Sequence, residues 1–176
     1  IAPKSHILNI PFLTAGYAAA EADTVNDKVV TPGPNGINGT ITNNSWGSGT
    51  NGNSYDSYAA QYDGFVQDAS FGAGINPITV VFSAGNSGTS GLTRPKVAKN
   101  VIAVGNSENI RTEIGGSSAD NIDDMRSSSS RGPAADGRIK PDITAPGTVI
   151  AGSRAGTGGS VSGHIDANHS YSTGTS

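Results

Sequence analysis

A chain of 176 residues with 25 glycines, no cysteine and a formal charge of −3 is long enough for one domain with a real core. Its 11 basic and 14 acidic residues form no basic stripe, so neither nucleic acid nor an anionic membrane is expected as a partner. The absence of cysteine excludes disulfides, thiolate metal sites and a thiol nucleophile, and no apolar run approaches the roughly 18 residues of a membrane span.

Short apolar runs rich in β-branched residues alternate with longer segments of helical spacing, the mark of βαβ units and a parallel sheet in an α/β fold. The opening "IAPKSHILNI" lacks the charged-then-apolar layout of a signal peptide, and its residues 7–10 predict a first strand. The Ala-rich "AGYAAAEADTVND" predicts about three helical turns. "TPGPNGING" then breaks the chain before the apolar lead-in of "ITNNSWG". Across residues 55–71, Tyr58, Tyr62, Phe65, Val66 and Ala69 recur three or four apart and predict an amphipathic helix despite Gly64. Residues 78–82 of "PITVVFSAGN" form a nearly continuous apolar run, expected for a strand covered on both faces. "NVIAVGN" repeats the pattern at 101–104. The polar stretch 107–130 reads as loop and short strand, after which strand signals resume in "DITAPGTVIAG".

Three of these runs end in residues that carry chemistry. In "FSAGNSG" a buried strand closes on small residues, and the Asn86 amide is placed to aim N–H donors into the crevice at the carboxyl ends of the strands. Asn and Gly also end strands simply as turn residues. In "NNSWG", Ser45, Trp46 and Gly47 present an edge suited to an extended peptide, although a lone Trp more often packs in a core. The terminal "STGTS" puts glycine just before Ser176, which permits a tight turn exposing a nucleophilic hydroxyl, or is a plain flexible end.

Together and in this order the stretches resemble the subtilisin-like serine endopeptidases, the subtilases, over nearly the whole chain. "NNSWG" is similar to that family's substrate-binding strand, "VFSAGNSG" to its oxyanion segment, "SSSSRGPAADGRIKPDITAPGTVI" to its "SSRGP…DGR.KPD..APG" stretch, and "GTS" to the start of its "GTSMA" nucleophile motif. The wording of "AKNVIAVGNSEN" and "ADGRIKPDITAPGT" is similar to the alkaline bacterial branch, whose members carry an extra β domain downstream.

The resemblance implies a three-layer, mostly parallel sheet flanked by helices, with residues 1–176 forming a single catalytic domain incomplete at both ends. It implies hydrolysis of protein or peptide substrates through an acyl-enzyme at Ser176, with the Asn86 side chain and the Ser176 backbone N–H as oxyanion donors. Ser45, Trp46 and Gly47 would lie along one side of the bound peptide. Ser83, Ala84 and Gly85 would line the pocket for the residue before the scissile bond. The Arg94–Pro95 bond is expected cis, and Arg131, Asp136, Arg138 and Asp142 are given structural work in the loop before Pro146. The chemistry requires no cofactor. Structural calcium fits the family, and "SSADNIDD" groups Asp120, Asp123 and Asp124, but an acidic loop is equally well a solvated one, so metal sites stay uncommitted. An extracellular location follows from the resemblance alone.

A serine nucleophile needs a base for its proton and an acid to orient that base. The resemblance places these earlier in the chain, in the order Asp, His, Ser. No "HGT" and no "D-[ST]-G" after an apolar strand occurs, and the three histidines are His6, His164 and His169. His6 reads as a structural histidine in the first strand, the other two as residues of a Gly/Ser/Asn-rich loop. The chain therefore reads as an internal piece of a catalytic domain, inactive alone, with the Asp and His segment in the parent chain or another chain. Two rivals remain: a non-catalytic Gly/Ser/Asn-rich binding module, and a stand-alone esterase pairing His169 with Ser176.

Overall fold

The computed structural model describes residues 5–8, 22–33, 35–47, 53–154 and 165–176. Four strands, β1 (Ile41–Asn44), β2 (Thr79–Ser83), β3 (Ile102–Ser107) and β4 (Ile143–Pro146), form one sheet in the order β1-β2-β3-β4. Every pair is parallel, with Asn44 opposite Phe82, Ser83 opposite Val104 and Ser107 opposite Pro146. Parallel neighbours require crossovers, and the one between β1 and β2 carries helix α2 (Ser57–Gln67). Because all four strands run the same way, the residues that follow them emerge along one edge of the sheet.

Helix α2 starts where Asp56 caps it: its carboxylate accepts the Ala59 N–H at 3.1 Å, satisfying one of the otherwise unpaired first-turn donors. The helix stops at Asp68, whose N–H reaches the Gly64 carbonyl at 2.8 Å. It buries Ala59, Tyr62 and Phe65 against Val80 and Phe82 of β2, with Val29 and Val30 of helix α1 (Ala22–Val30) in the same cluster. Tyr62 meets Phe82 edge-to-face at 5.2 Å, a geometry that adds to area burial. Buried Asp63 fixes the register of the helix on the sheet. It accepts the Tyr55 hydroxyl at 2.8 Å and the backbone N–H groups of Lys99 and Asn100 at 3.1 and 2.6 Å, immediately before β3.

The remaining strands, β5 (Ile150–Ser153) and β6 (His169–Ser172), form a separate antiparallel pair. His169 therefore belongs to a strand opposite Ser153, not to a loop; His164 lies outside the described residues. Three further expectations are corrected. Residues 5–8 form no strand, and Ile7 is 87% exposed, because no neighbouring strand among the described residues pairs with this run. The stretch 107–130 contains a helical turn, α3 (Thr112–Gly115), and its strand content is Ser107, the last residue of β3, with a single bridge from it to Met125. Finally, β2 and β3 are unevenly covered among the described residues, the second face being closed only towards its carboxyl end, where Ser83 and Asn106 are buried. Val80, Phe82 and Ala103 are buried beneath α2, whereas Ile41, Ile102 and Ile143 on the opposite face are exposed. The start of the Ala-rich helix also lies outside the described residues; the described part runs past its expected end, to Val30.

Candidate active site

At the end of β2 the chain makes a sharp turn. The Ala84 N–H still bonds the Val104 carbonyl at 2.8 Å. Gly85 then takes φ 107°, a region side chains disfavour, and carries Asn86 to the exposed crest. The serine run after residue 126 moulds this turn. The Ser130 N–H donates to the Gly85 carbonyl at 2.8 Å, Ser130 Oγ accepts the Ser87 N–H at 2.9 Å, and the Gly88 N–H donates to the Ser128 carbonyl at 2.9 Å. Ser129 and Ser130 are accordingly buried.

The β5–β6 pair returns the chain to the same edge, where its last residues are tied down one by one. The Val149 N–H donates to Thr173 Oγ1 at 2.9 Å, and the Gly174 N–H to the Gly147 carbonyl at 3.0 Å. The Thr175 N–H and hydroxyl both donate to Asn86 Oδ1, at 3.0 and 3.2 Å, while Thr175 Oγ1 accepts the Gly85 N–H at 3.0 Å. With its oxygen doubly engaged, the Asn86 amide keeps its Nδ2 donors without a hydrogen-bond partner among the described residues. Ser176 follows directly and lines a cavity of about 210 Å³ together with Ser45, Ser83, Gly105, Pro146 and Gly174. The approach is close enough that a Cβ on Gly147 would strike the Gly174 carbonyl and lie 2.7 Å from Asn106 Oδ1.

The predicted substrate-binding residues divide. Ser45 and Ser83 face the cavity. Trp46 turns the other way: its ring stands edge-on to Phe82 at 5.2 Å and Tyr62 at 6.1 Å, and its Nε1–H bonds Asn44 Oδ1 at 3.1 Å. Ala84 is fully buried. Gly47 and Gly85 meet a common neighbour, Lys96, whose Nζ lies 2.9 Å from a Cβ built on Gly47 and 3.2 Å from one built on Gly85. Sequence reasoning gave no role to Lys96, Thr175 or Ser130, although Thr175 and Ser130 both lay within motifs considered.

The charged residues of the 131–142 stretch are engaged in holding loops. Arg138 pairs with Asp136 at 2.8 Å and donates to the Val97 carbonyl at 2.9 Å, and Arg131 donates to the Ser127 carbonyl at 2.9 Å. The Asp136 carboxyl is held below its ordinary range, chiefly by the Arg138 side chain. Asp142 accepts the Ala103 N–H and the Lys140 ammonium, each at 2.7 Å. The Arg94–Pro95 bond is cis, as are Gly132–Pro133 and Lys140–Pro141. His169 Nδ1 is 2.9 Å from both carboxylate oxygens of Asp166, an exposed pair, and no hydrogen bond among the described residues joins this ring to Ser176. His6 is exposed against Asn35. Asp120, Asp123 and Asp124 are also exposed, and among the described residues no three His, Asp or Glu side chains converge on a metal position. No described helix is long and apolar enough to cross a membrane.

The parallel sheet thus carries at its carboxyl edge Asn86, bonded to Thr175, with Ser176 following directly. The model of the subtilase family, peptidase S8, matches residues 2–176. The chain belongs to this family of serine endopeptidases, whose substrates are proteins and peptides.

Proposed function

We propose that this subtilase chain carries the nucleophile and the oxyanion donor of a peptide-bond hydrolase. In this reading Ser176 Oγ attacks the scissile carbonyl carbon, and the developing negative charge on the carbonyl oxygen is met by Asn86 Nδ2 and the Ser176 backbone N–H. The C–N bond then breaks, the amine leaving with the proton taken from Ser176 by the base, and the resulting ester at Ser176 is hydrolysed by water to free the acid and the serine hydroxyl. The observation that carries the reading is the pair of bonds from Thr175 to Asn86 Oδ1, at 3.0 and 3.2 Å. They leave the amide's donors spare and tie down Thr175, the residue that Ser176 directly follows.

The proton of Ser176 must pass to a base. His169 has the oriented form of one, with Asp166 at its Nδ1, which favours a second reading as a stand-alone esterase. Its strand register opposes it to Ser153, while residues 173–175 are bonded to Thr173-facing Val149, Gly147 and Asn86. The first reading therefore takes the base and its acid from a segment beyond these 176 residues, in the parent chain or a second chain. A secreted location, common in the family, belongs to the same proposal, and so does any structural calcium.

Labelling with a fluorophosphonate separates the two readings. Expected is no labelling of the chain alone, labelling at Ser176 once a polypeptide bearing the family's Asp and His motifs is added, and none in Ser176→Ala. Labelling of the chain alone that disappears in His169→Ala establishes the esterase instead. In the complemented enzyme Asn86→Leu lowers kcat with KM little changed, by roughly 10²–10³-fold, a size that comes from measurement on a subtilisin itself.

A further inference from the structure

Lys96 follows the cis Arg94–Pro95 bond, and its side chain turns inward: the residue is only 4% exposed. Its Nζ stands where side chains on Gly47 and Gly85 would otherwise be, 2.9 and 3.2 Å from their Cβ positions. The ammonium thus fills the space between the segment that follows β1 and the segment that follows β2. Thr93 Oγ1 reaches the same place, since a Cβ on Gly47 would collide with it.

The neighbouring acids are committed elsewhere. Asp56 pairs with Arg94 and Asp136 with Arg138. Asp63 is taken by Tyr55 and two backbone N–H groups, and Asp142 by Lys140 and the Ala103 N–H. Among the described residues none pairs with Lys96 Nζ. Burial with no opposing charge pushes the ammonium's pKa below the ordinary lysine value. A cation held this way is costly to the fold unless something supplies a counter-charge. Of these two segments, the one with Gly47 was read above as lying along one side of a bound peptide and the one with Gly85 as lining the pocket for the residue before the scissile bond.

We propose that Lys96 is the specificity-determining residue of this pocket and selects an acidic side chain at the substrate residue just before the scissile bond. The inference rests on the peptidase reading of the site. A glutamate carboxylate brought up to the ammonium that Gly47 and Gly85 flank accepts charge-assisted hydrogen bonds from Lys96 Nζ, with the Thr93 hydroxyl as a neighbouring donor. A glutamine of the same shape forgoes the charge, and a lysine is repelled.

Binding tests this without catalysis, because Trp46 is the sole tryptophan and adjoins Gly47. The chain is titrated with acetyl-Ala-Ala-Pro-Glu-amide, its Gln analogue and its Lys analogue, followed by Trp46 fluorescence and by calorimetry. Expected is at least tenfold tighter binding of the Glu peptide than of the Gln peptide, with the Lys peptide weakest. In Lys96→Met the gap falls within twofold; in Lys96→Arg it persists. Equal affinity of the Glu and Gln peptides for the wild-type chain overturns the role of Lys96 and leaves the peptidase reading standing. A Glu preference retained in Lys96→Met also overturns it. Failure of all three peptides to bind removes the peptide cleft itself, and the proposal with it. The wild-type arm is decisive even where Lys96→Met fails to fold.

Discussion

The ion pair that fastens β4 to β3 is predicted to be energetically lopsided. Lys140 Nζ is 2.7 Å from Asp142 Oδ2 and donates to the Val101 carbonyl at 3.1 Å, and the same carboxylate oxygen accepts the Ala103 N–H at 2.7 Å. The lysine side chain is 2% exposed and the aspartate 37%. Asp142→Ala strips the Ala103 N–H of its acceptor and leaves a buried ammonium with one carbonyl. Losing one partner of a buried pair costs about 3–5 kcal/mol, and the partial exposure of Asp142 brings the expectation to about 3 kcal/mol. Lys140→Met keeps the apolar stem and leaves a carboxylate that still holds Ala103 and can take up water, at about 1 kcal/mol. The double variant should fall between the two single variants, because the stranded ammonium is gone while the Ala103 N–H stays without its acceptor. Urea unfolding at pH 7 reads all three. If Lys140→Met proves as damaging as Asp142→Ala, or the double variant is worse than either, the argument from unequal burial is wrong.

Three further outcomes follow from the site. Lys96→Met should raise stability at neutral pH. The folded-state pKa of Lys96 lies below its unfolded value of about 10.4, so the unfolded chain holds more protons between the two, and wild-type stability climbs with pH across that window; denaturant midpoints from pH 7 to 10.5 should show the climb flattened in the variant. Ser130→Ala removes the acceptor of the Ser87 N–H and should cost about 1 kcal/mol, with amide exchange at Ser87 accelerated; unchanged protection there would mean the Asn86 turn is held by other bonds. Gly147→Ala drives a methyl into the Gly174 carbonyl and Asn106, backbone on one side and a buried amide on the other. It should cost about 2 kcal/mol and appear as a lower Tm together with loss of Ser176 labelling in the complemented enzyme.

Much of the scaffold could be read from the sequence because its signals are local. The spacing of Tyr58, Tyr62 and Phe65 produced α2, with Asp56 supplying the cap that sets its first turn. The apolar runs produced β2, shifted by one residue, and β3, which starts one residue later and ends three residues further on, because Ser83, Asn106 and Ser107 are polar yet continue the ladder. Ile7 and Leu8, the described part of the run at 7–10, belong to no strand, since a strand persists only when a neighbour takes up its backbone groups. Family resemblance supplied Asn86 and Ser176. It did not supply Thr175 as the group that turns the Asn86 amide, a contact across 89 positions of sequence. Nor did it supply Ser130, which reaches Ser87 across 43. Pairings of that length leave no periodic trace.

Lys96 shows the same limit from the side of chemistry. A lysine after proline is ordinarily a solvated residue, and nothing in "TRPKVAKN" says otherwise. Its burial arises only because two glycines, one after β1 and one after β2, leave space on facing segments that the parallel sheet delivers to one edge. Replacing either glycine by alanine would require the ammonium to move by a few tenths of an ångström or more, and at Gly47 the Thr93 hydroxyl as well. The pocket's charge is therefore a property of three separated segments acting together. Gly47→Ala and Gly85→Ala should each weaken binding of the Glu peptide more than that of the Gln peptide, although neither substitution touches a charge.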